Sequence, residues 1–138
     1  MRKLVFATLF SLLTSTAFAQ ETILEAMEDY TGFATYEAGI IFPMQVTPDL
    51  FHSFFFIDTR TEEEFSQASI DGAINIEWRD VFSRIDEIPK DQKTILFCNT
   101  GALSAQSAFG LRVLGYENIL ILQTGYGGWL NHQAAVSK

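Results

Sequence analysis

The chain has 138 residues, enough for one domain with a core of its own. Its formal charge of −8, from 9 basic against 17 acidic residues, argues against nucleic acid and anionic membrane surfaces as partners. One cysteine forbids an internal disulfide, and with only two histidines beside it no dedicated transition-metal site is expected.

Residues 1–19 read as a leader. Arg2 and Lys3 precede the apolar run "LVFATLFSLL", and "TSTAFA" ends in small residues at Ala17 and Ala19. That is the pattern of a secretory signal peptide cut before Gln20. The run is shorter than the ~20 residues a membrane span needs, so no membrane anchor is expected. Without the leader, seven basic residues face seventeen acidic ones, a formal charge of −10. The expected location is the periplasm or the exterior.

Residues 20–45 then supply an N-terminal helix and a first strand region. Ile23, Leu24, Met27 and Tyr30 fall at helical spacing within Glu21–Tyr30. "AGIIFPMQV" holds a strand, with Pro43 at an edge or end. Thr47 and Pro48 open a helical turn as N-cap and first helical residue. "FFFID" at Phe54–Asp58 is a continuous apolar run, the mark of a strand buried on both faces. Thr61 caps a helix with acids in its first turn. Gly72–Ile76 is a short strand, "RDVFSRI" a short helix, and Thr94–Cys98 another buried strand. The longest helix follows from Ala102 and stops at Gly115. Asn118–Leu122 is the last strand, and "YGGWLNH" begins a terminal helix. Short apolar strands alternating with helices predict a parallel sheet covered on both faces, a three-layer α/β/α domain.

Active sites in such sheets lie beyond the carboxyl ends of the strands, and Cys98 stands at one of those ends. If the loop Asn99–Leu103 curls around the sulfur, several backbone N–H groups can face it, and Gly101 permits the turn. The helix that starts near Ala102 adds its positive end. Such surroundings favour a thiolate, which is a nucleophile without a histidine and can carry a further sulfur as a persulfide. The alternative is an inert buried thiol at a strand end.

"FIDTRTEEEFSQASIDGAINI" together with "ILFCNTGALSAQSAFGLRVLGYENILILQTGYGGW" resembles a single rhodanese domain, most closely the small exported bacterial type. "FIDTR" matches an Asp-x-Arg at the end of the second strand, "CNTG" a Cys-x-x-Gly active-site loop, and "GYENILILQTGYGGW" the final strand and glycine-rich turn. The resemblance implies a five-stranded parallel sheet between helices over residues 46–135, and sulfurtransferase activity without a cofactor. It makes Cys98 the catalytic residue and Asn99, Thr100, Gly101, Ala102 and Leu103 the substrate cradle, with Ser104 opening the helix behind. The implied partners are a small sulfur-containing donor and a thiol or cyanide acceptor. Two departures stand out. Ser69 replaces the usual histidine, and the loop carries no charge where many members have an arginine or lysine. Arg60 and Arg79 are the remaining cations that could meet an anionic donor, with an ion pair to Asp58 as the alternative for Arg60 and a solvated helix position for Arg79. The uncharged loop leaves a second reading open, a catalytically weak sulfur-carrier or binding module.

Other chemistries fit less well. A phosphatase of this fold needs an arginine six positions after the cysteine, where Ser104 stands. There is no Cys-x-x-Cys pair, and "GALSA" is not a nucleophile elbow. His52 and His132 have no partner nearby in sequence and read as surface or packing residues.

Overall fold

The computed structural model describes residues 19–37 and 39–138, which belong to two compact units dividing after Thr35. The expected leader lies outside the described residues, Ala19 excepted. In the first unit, residues 19–33 are one helix, α1, which extends past both ends of the Glu21–Tyr30 pattern.

The second unit runs β1 (Ile40–Ile41), a 3-10 turn (Pro43–Gln45), α2 (Pro48–Phe51), β2 (Phe55–Asp58), α3 (Glu62–Gln67), β3 (Ile74–Asn75), a second 3-10 turn (Ile85–Glu87), β4 (Thr94–Phe97), α4 (Ala102–Val113), β5 (Ile119–Leu122) and α5 (Gly125–Val136). The five strands form one all-parallel sheet in the order β1-β5-β4-β2-β3. β4 is therefore central, with β2 and β5 at its sides, and Ile95, Leu96 and Phe97 are wholly buried.

Alternation along each strand sends side chains to two separate cores. Ile57, Leu96 and Ile119 pack with Ala108 and Leu111 of α4, while Phe56, Ile95, Phe97 and Leu122 pack with Trp129 of α5. This is the three-layer α/β/α arrangement, and each core has apolar residues from both the sheet and a covering helix.

Local signals behave as their chemistry dictates. Thr61 and Glu64 form a reciprocal capping box at the start of α3. Gly115, at φ +86°, ends α4 in a Schellman motif: its N–H bonds to the Arg112 carbonyl and the Tyr116 N–H to that of Leu111. One expected element differs. "RDVFSRI" is a series of turns leading into the 3-10 turn rather than a helix. The Asp80 carbonyl accepts from both the Arg84 N–H and the Ser83 hydroxyl, and the Arg84 side chain reaches out to the Asn75 carbonyl and the Glu87 carboxylate. So short a segment has no length over which to repay helix nucleation.

Candidate active site

The sheet order brings three loops to one edge. The loop after β4 carries Cys98, the loop after β2 leads into α3, and the loop after β5 leads into α5. Parallel register aligns their starts, with Asp58 beside Phe97 across β2 and β4.

Cys98 is the one residue between the end of β4 and its loop, and it is a free, buried thiol. The loop does curl around the sulfur. The Gly101 N–H donates to Sγ at 3.1 Å, and the Ser104 hydroxyl lies 3.8 Å from Sγ and 3.0 Å from the Gly101 carbonyl. Gly101 is the N-cap of α4 at φ +97°, a left-handed conformation that directs the helix's first N–H groups at the sulfur. Burial pushes the thiol up. Hydrogen bonds from the N–H groups of Ser104, Thr100 and Leu103, with the Ser104 hydroxyl, outweigh it, so the thiol lies below its ordinary value.

Cys98 lines a cleft of about 360 Å³ together with Asn99, Thr100, Leu103, Arg60 and Arg79. The structure thus gathers most of the residues picked out from the sequence. Gly101 meets the sulfur through its backbone, and Ala102 begins α4 beside it without lining the cleft. Arg60 is heavily committed: its guanidinium forks onto Asp58, bonds the Ala68 carbonyl at 2.7 Å and lies 4.1 Å from the centre of the Tyr126 ring. The Asp58 contacts hold it firmly charged. Ser69, standing where the resemblance would place a histidine, donates to the same Asp58 carboxylate at 2.7 Å. Arg79 is largely exposed and pairs with Glu77 at 2.9 Å.

Two further residues matter that sequence patterns leave hidden. Gly125, at φ +59°, lies so close to the cysteine loop that a Cβ there would stand 2.3 Å from the Cys98 carbonyl oxygen and 2.7 Å from the Thr100 nitrogen. The next two N–H groups, of Tyr126 and Gly127, bond the Cys98 and Asn99 carbonyls at 2.7 and 3.1 Å. The glycine-rich turn is therefore a clamp on the loop. Its glycines are visible in the sequence, but their contact with the cysteine is not. Glu64, legible only as a helix-start acid, accepts a 2.6 Å bond from the Asn99 amide.

A family model described as "Rhodanese-like domain" matches residues 47–132. The chain belongs to the rhodanese-like family. It is 34% identical over 76 residues to a sulfurtransferase of Allochromatium vinosum, covering 55% of this chain and 71% of that protein. It is 35% identical over 65 residues to the thiosulfate sulfurtransferase PspE of Escherichia coli, covering 46% and 62% of the two chains. Among solved structures, a rhodanese-related protein from Thermoplasma volcanium superposes with a TM-score of 0.62 at 24% identity, over 67% of this chain and 90% of that one. At that identity the superposition speaks for the fold. The family match and the two sulfurtransferase relatives place the chain's rhodanese-like domain in a sulfurtransferase family.

His52 and His132, far apart in sequence, line one larger cleft of about 830 Å³ with Phe51 and Trp129, and this cleft shares no residue with that of Cys98. Among the described residues no three His, Cys, Asp or Glu side chains gather closely enough to hold a metal ion. No described helix is long and apolar enough to cross a membrane.

Proposed function

We propose that the protein passes sulfane sulfur from a small donor to a thiol or cyanide through a persulfide on Cys98. The observation that carries this reading is the convergence of the Gly101 N–H and the first N–H groups of α4 on the sulfur of a cysteine that lines a cleft. The Cys98 thiolate attacks the donor's outer sulfur. An S–S bond forms, and the bond to the donor's remainder breaks with its electron pair, releasing sulfite when the donor is thiosulfate. The same N–H groups then hold the anionic outer sulfur of the persulfide. An acceptor thiolate attacks that sulfur and takes it away, and Cys98 returns as thiolate. No oxidant or reductant is consumed.

The expected result is a mass gain of about 32 Da, one sulfur atom, on the purified protein after polysulfide or thiosulfate, lost on adding cyanide and absent from Cys98→Ser. Equal turnover by wild type and Cys98→Ser would refute the reading. A carrier with slow turnover is the second reading. It is favoured by a loop without a cation and by the commitment of Arg60 to Asp58. Stoichiometric persulfidation without multiple turnover separates it from the first. The location belongs to the proposal too: N-terminal sequencing of exported protein is expected to begin near Gln20, and a retained Met1 would overturn it.

A further inference from the structure

We propose that Glu64 is a charge filter at the mouth of the Cys98 cleft, a specificity-determining residue that disfavours anionic sulfur donors and acceptors and favours uncharged or cation-bearing ones. The proposal takes its substrates from the sulfurtransferase reading, but its test does not depend on that reading.

The charges that line the cleft are Arg60, Glu64, Glu77 and Arg79. Three of them are neutralised locally. Arg60 forks onto the buried Asp58 carboxylate, and Arg79 donates to both oxygens of Glu77 at 3.0 and 2.9 Å. Glu64 differs because its hydrogen-bond partners are neutral. The Asn99 amide donates to one oxygen at 2.6 Å, and the Thr61 hydroxyl and N–H donate to the other at 2.9 and 3.2 Å. These bonds fix the carboxylate in place without cancelling its charge. The Asn99 bond first, then the Thr61 bonds, and last the charge of Arg60 hold its acid below the usual carboxylate range, so the group is ionised at neutral pH; Arg60 is itself matched by Asp58, so the three groups together keep one negative charge. Asn99 directly follows Cys98, so the fixed charge is tied to the cysteine loop itself. The loop supplies no opposing cation.

Glu64 and Cys98 line the same cleft, so a reagent reaching Cys98 passes the carboxylate at a spacing on the order of 9 Å. At such a spacing in a wet cleft, one unit charge changes the rate of a charged reagent by about two- to fivefold.

The test is alkylation of Cys98 in the full chain at a pH where the thiolate is fully formed. Iodoacetamide is neutral and iodoacetate anionic, yet both form the same S–C bond and release iodide. The ratio of their rates therefore cancels any change in the thiol itself. Glu64→Gln keeps a capping-box residue and removes the charge, but it has one acceptor oxygen for the Asn99 and Thr61 donors together, so the charge effect is read from the rate ratio and not from either rate alone. It is expected to raise the iodoacetate rate relative to iodoacetamide by about two- to fivefold, to move the cationic reagent 2-bromoethylammonium the other way, and to lose its effect in high salt. Glu63→Gln removes an identical charge from the same helical turn but outside the cleft, and it is expected to leave the ratio at the wild-type value. The proposal is overturned if Glu64→Gln slows or speeds both reagents equally, as loop positioning alone would do. It is also overturned if Glu63→Gln shifts the ratio as much, as a diffuse surface field would do. Persulfide formation is measured in parallel. A charge-selective Cys98 that takes up no sulfur refutes the sulfurtransferase reading and leaves the filter standing, while sulfur transfer with a flat ratio does the reverse.

Discussion

Replacing Gly125 by alanine tests whether the glycine-rich turn holds the cysteine loop. The added Cβ would stand 2.3 Å from the Cys98 carbonyl oxygen and 2.7 Å from both the Asn99 carbonyl carbon and the Thr100 nitrogen. All three are backbone atoms, so no side chain can rotate away and the loop itself must move. Gly125 also sits at φ +59°, where an L-residue with a Cβ loses roughly 1–2 kcal/mol. Crowding in a packed region adds roughly 1–3 kcal/mol. The expected loss of stability is about 2–5 kcal/mol, read from the midpoint of urea unfolding at unchanged m. The site should suffer beyond the stability change. The shift would loosen the Tyr126 and Gly127 bonds to the Cys98 and Asn99 carbonyls and draw N–H groups off Sγ, so the alkylation midpoint of Cys98 should rise in the protein that remains folded. Gly127→Ala is the internal control. Its Cβ would meet only the Asn99 carbonyl oxygen at 3.3 Å, and glycine-to-alanine within a helix gains roughly 0.5–1 kcal/mol, so its stability should stay within about 1 kcal/mol of wild type. Wild-type stability and an unmoved Cys98 midpoint in Gly125→Ala would refute the clamp.

The nucleophilic fraction of Cys98 should rise with pH with its midpoint below the usual thiol value, because its N–H donors favour the thiolate; an iodoacetamide midpoint at or above ~8.5 counts against them. Leu103→Arg, on the cleft wall, should raise thiosulfate kcat/KM about fivefold, since a charge-assisted hydrogen bond exceeds a neutral one by roughly 1 kcal/mol. If Arg79 already meets the donor, the added arginine does nothing and Arg79→Ala abolishes thiosulfate turnover with the fold intact. Asp58→Asn should cost about 3–5 kcal/mol in urea unfolding, because it leaves the Arg60 charge buried without its partner; a loss under about 1 kcal/mol would show that the pair does not hold the domain.

Local patterns carried most of the architecture. The apolar runs at Phe54–Asp58 and Thr94–Cys98 could be read as buried strands because a central parallel strand must be apolar on both faces, and β4 is central. Gly101 and Gly115 could be placed at turns because their positions need left-handed backbone, which both adopt. Cys98 could be picked out because a strand end beside a helix start is a place where chemistry happens in this kind of sheet. "RDVFSRI" misled because its apolar spacing is helical while the segment is too short to repay helix nucleation.

The sequence by itself determined most of the strands and helices, "RDVFSRI" excepted, and which sulfur stands at a strand's carboxyl end, since these follow from periodicity and turn chemistry within a few residues. Only the tertiary structure decided what surrounds that sulfur. The order β1-β5-β4-β2-β3 puts β4 between β5 and β2, so loops far apart in the chain converge. That is why Gly125 presses on the Cys98 carbonyl, why Glu64 meets Asn99 across 35 residues, and why Arg60, whose pairing with Asp58 two residues away was legible in the sequence, also meets the Ala68 carbonyl and the Tyr126 ring. No short-range pattern records such contacts, because their energy depends on which strands are neighbours and not on which residues are adjacent in the chain.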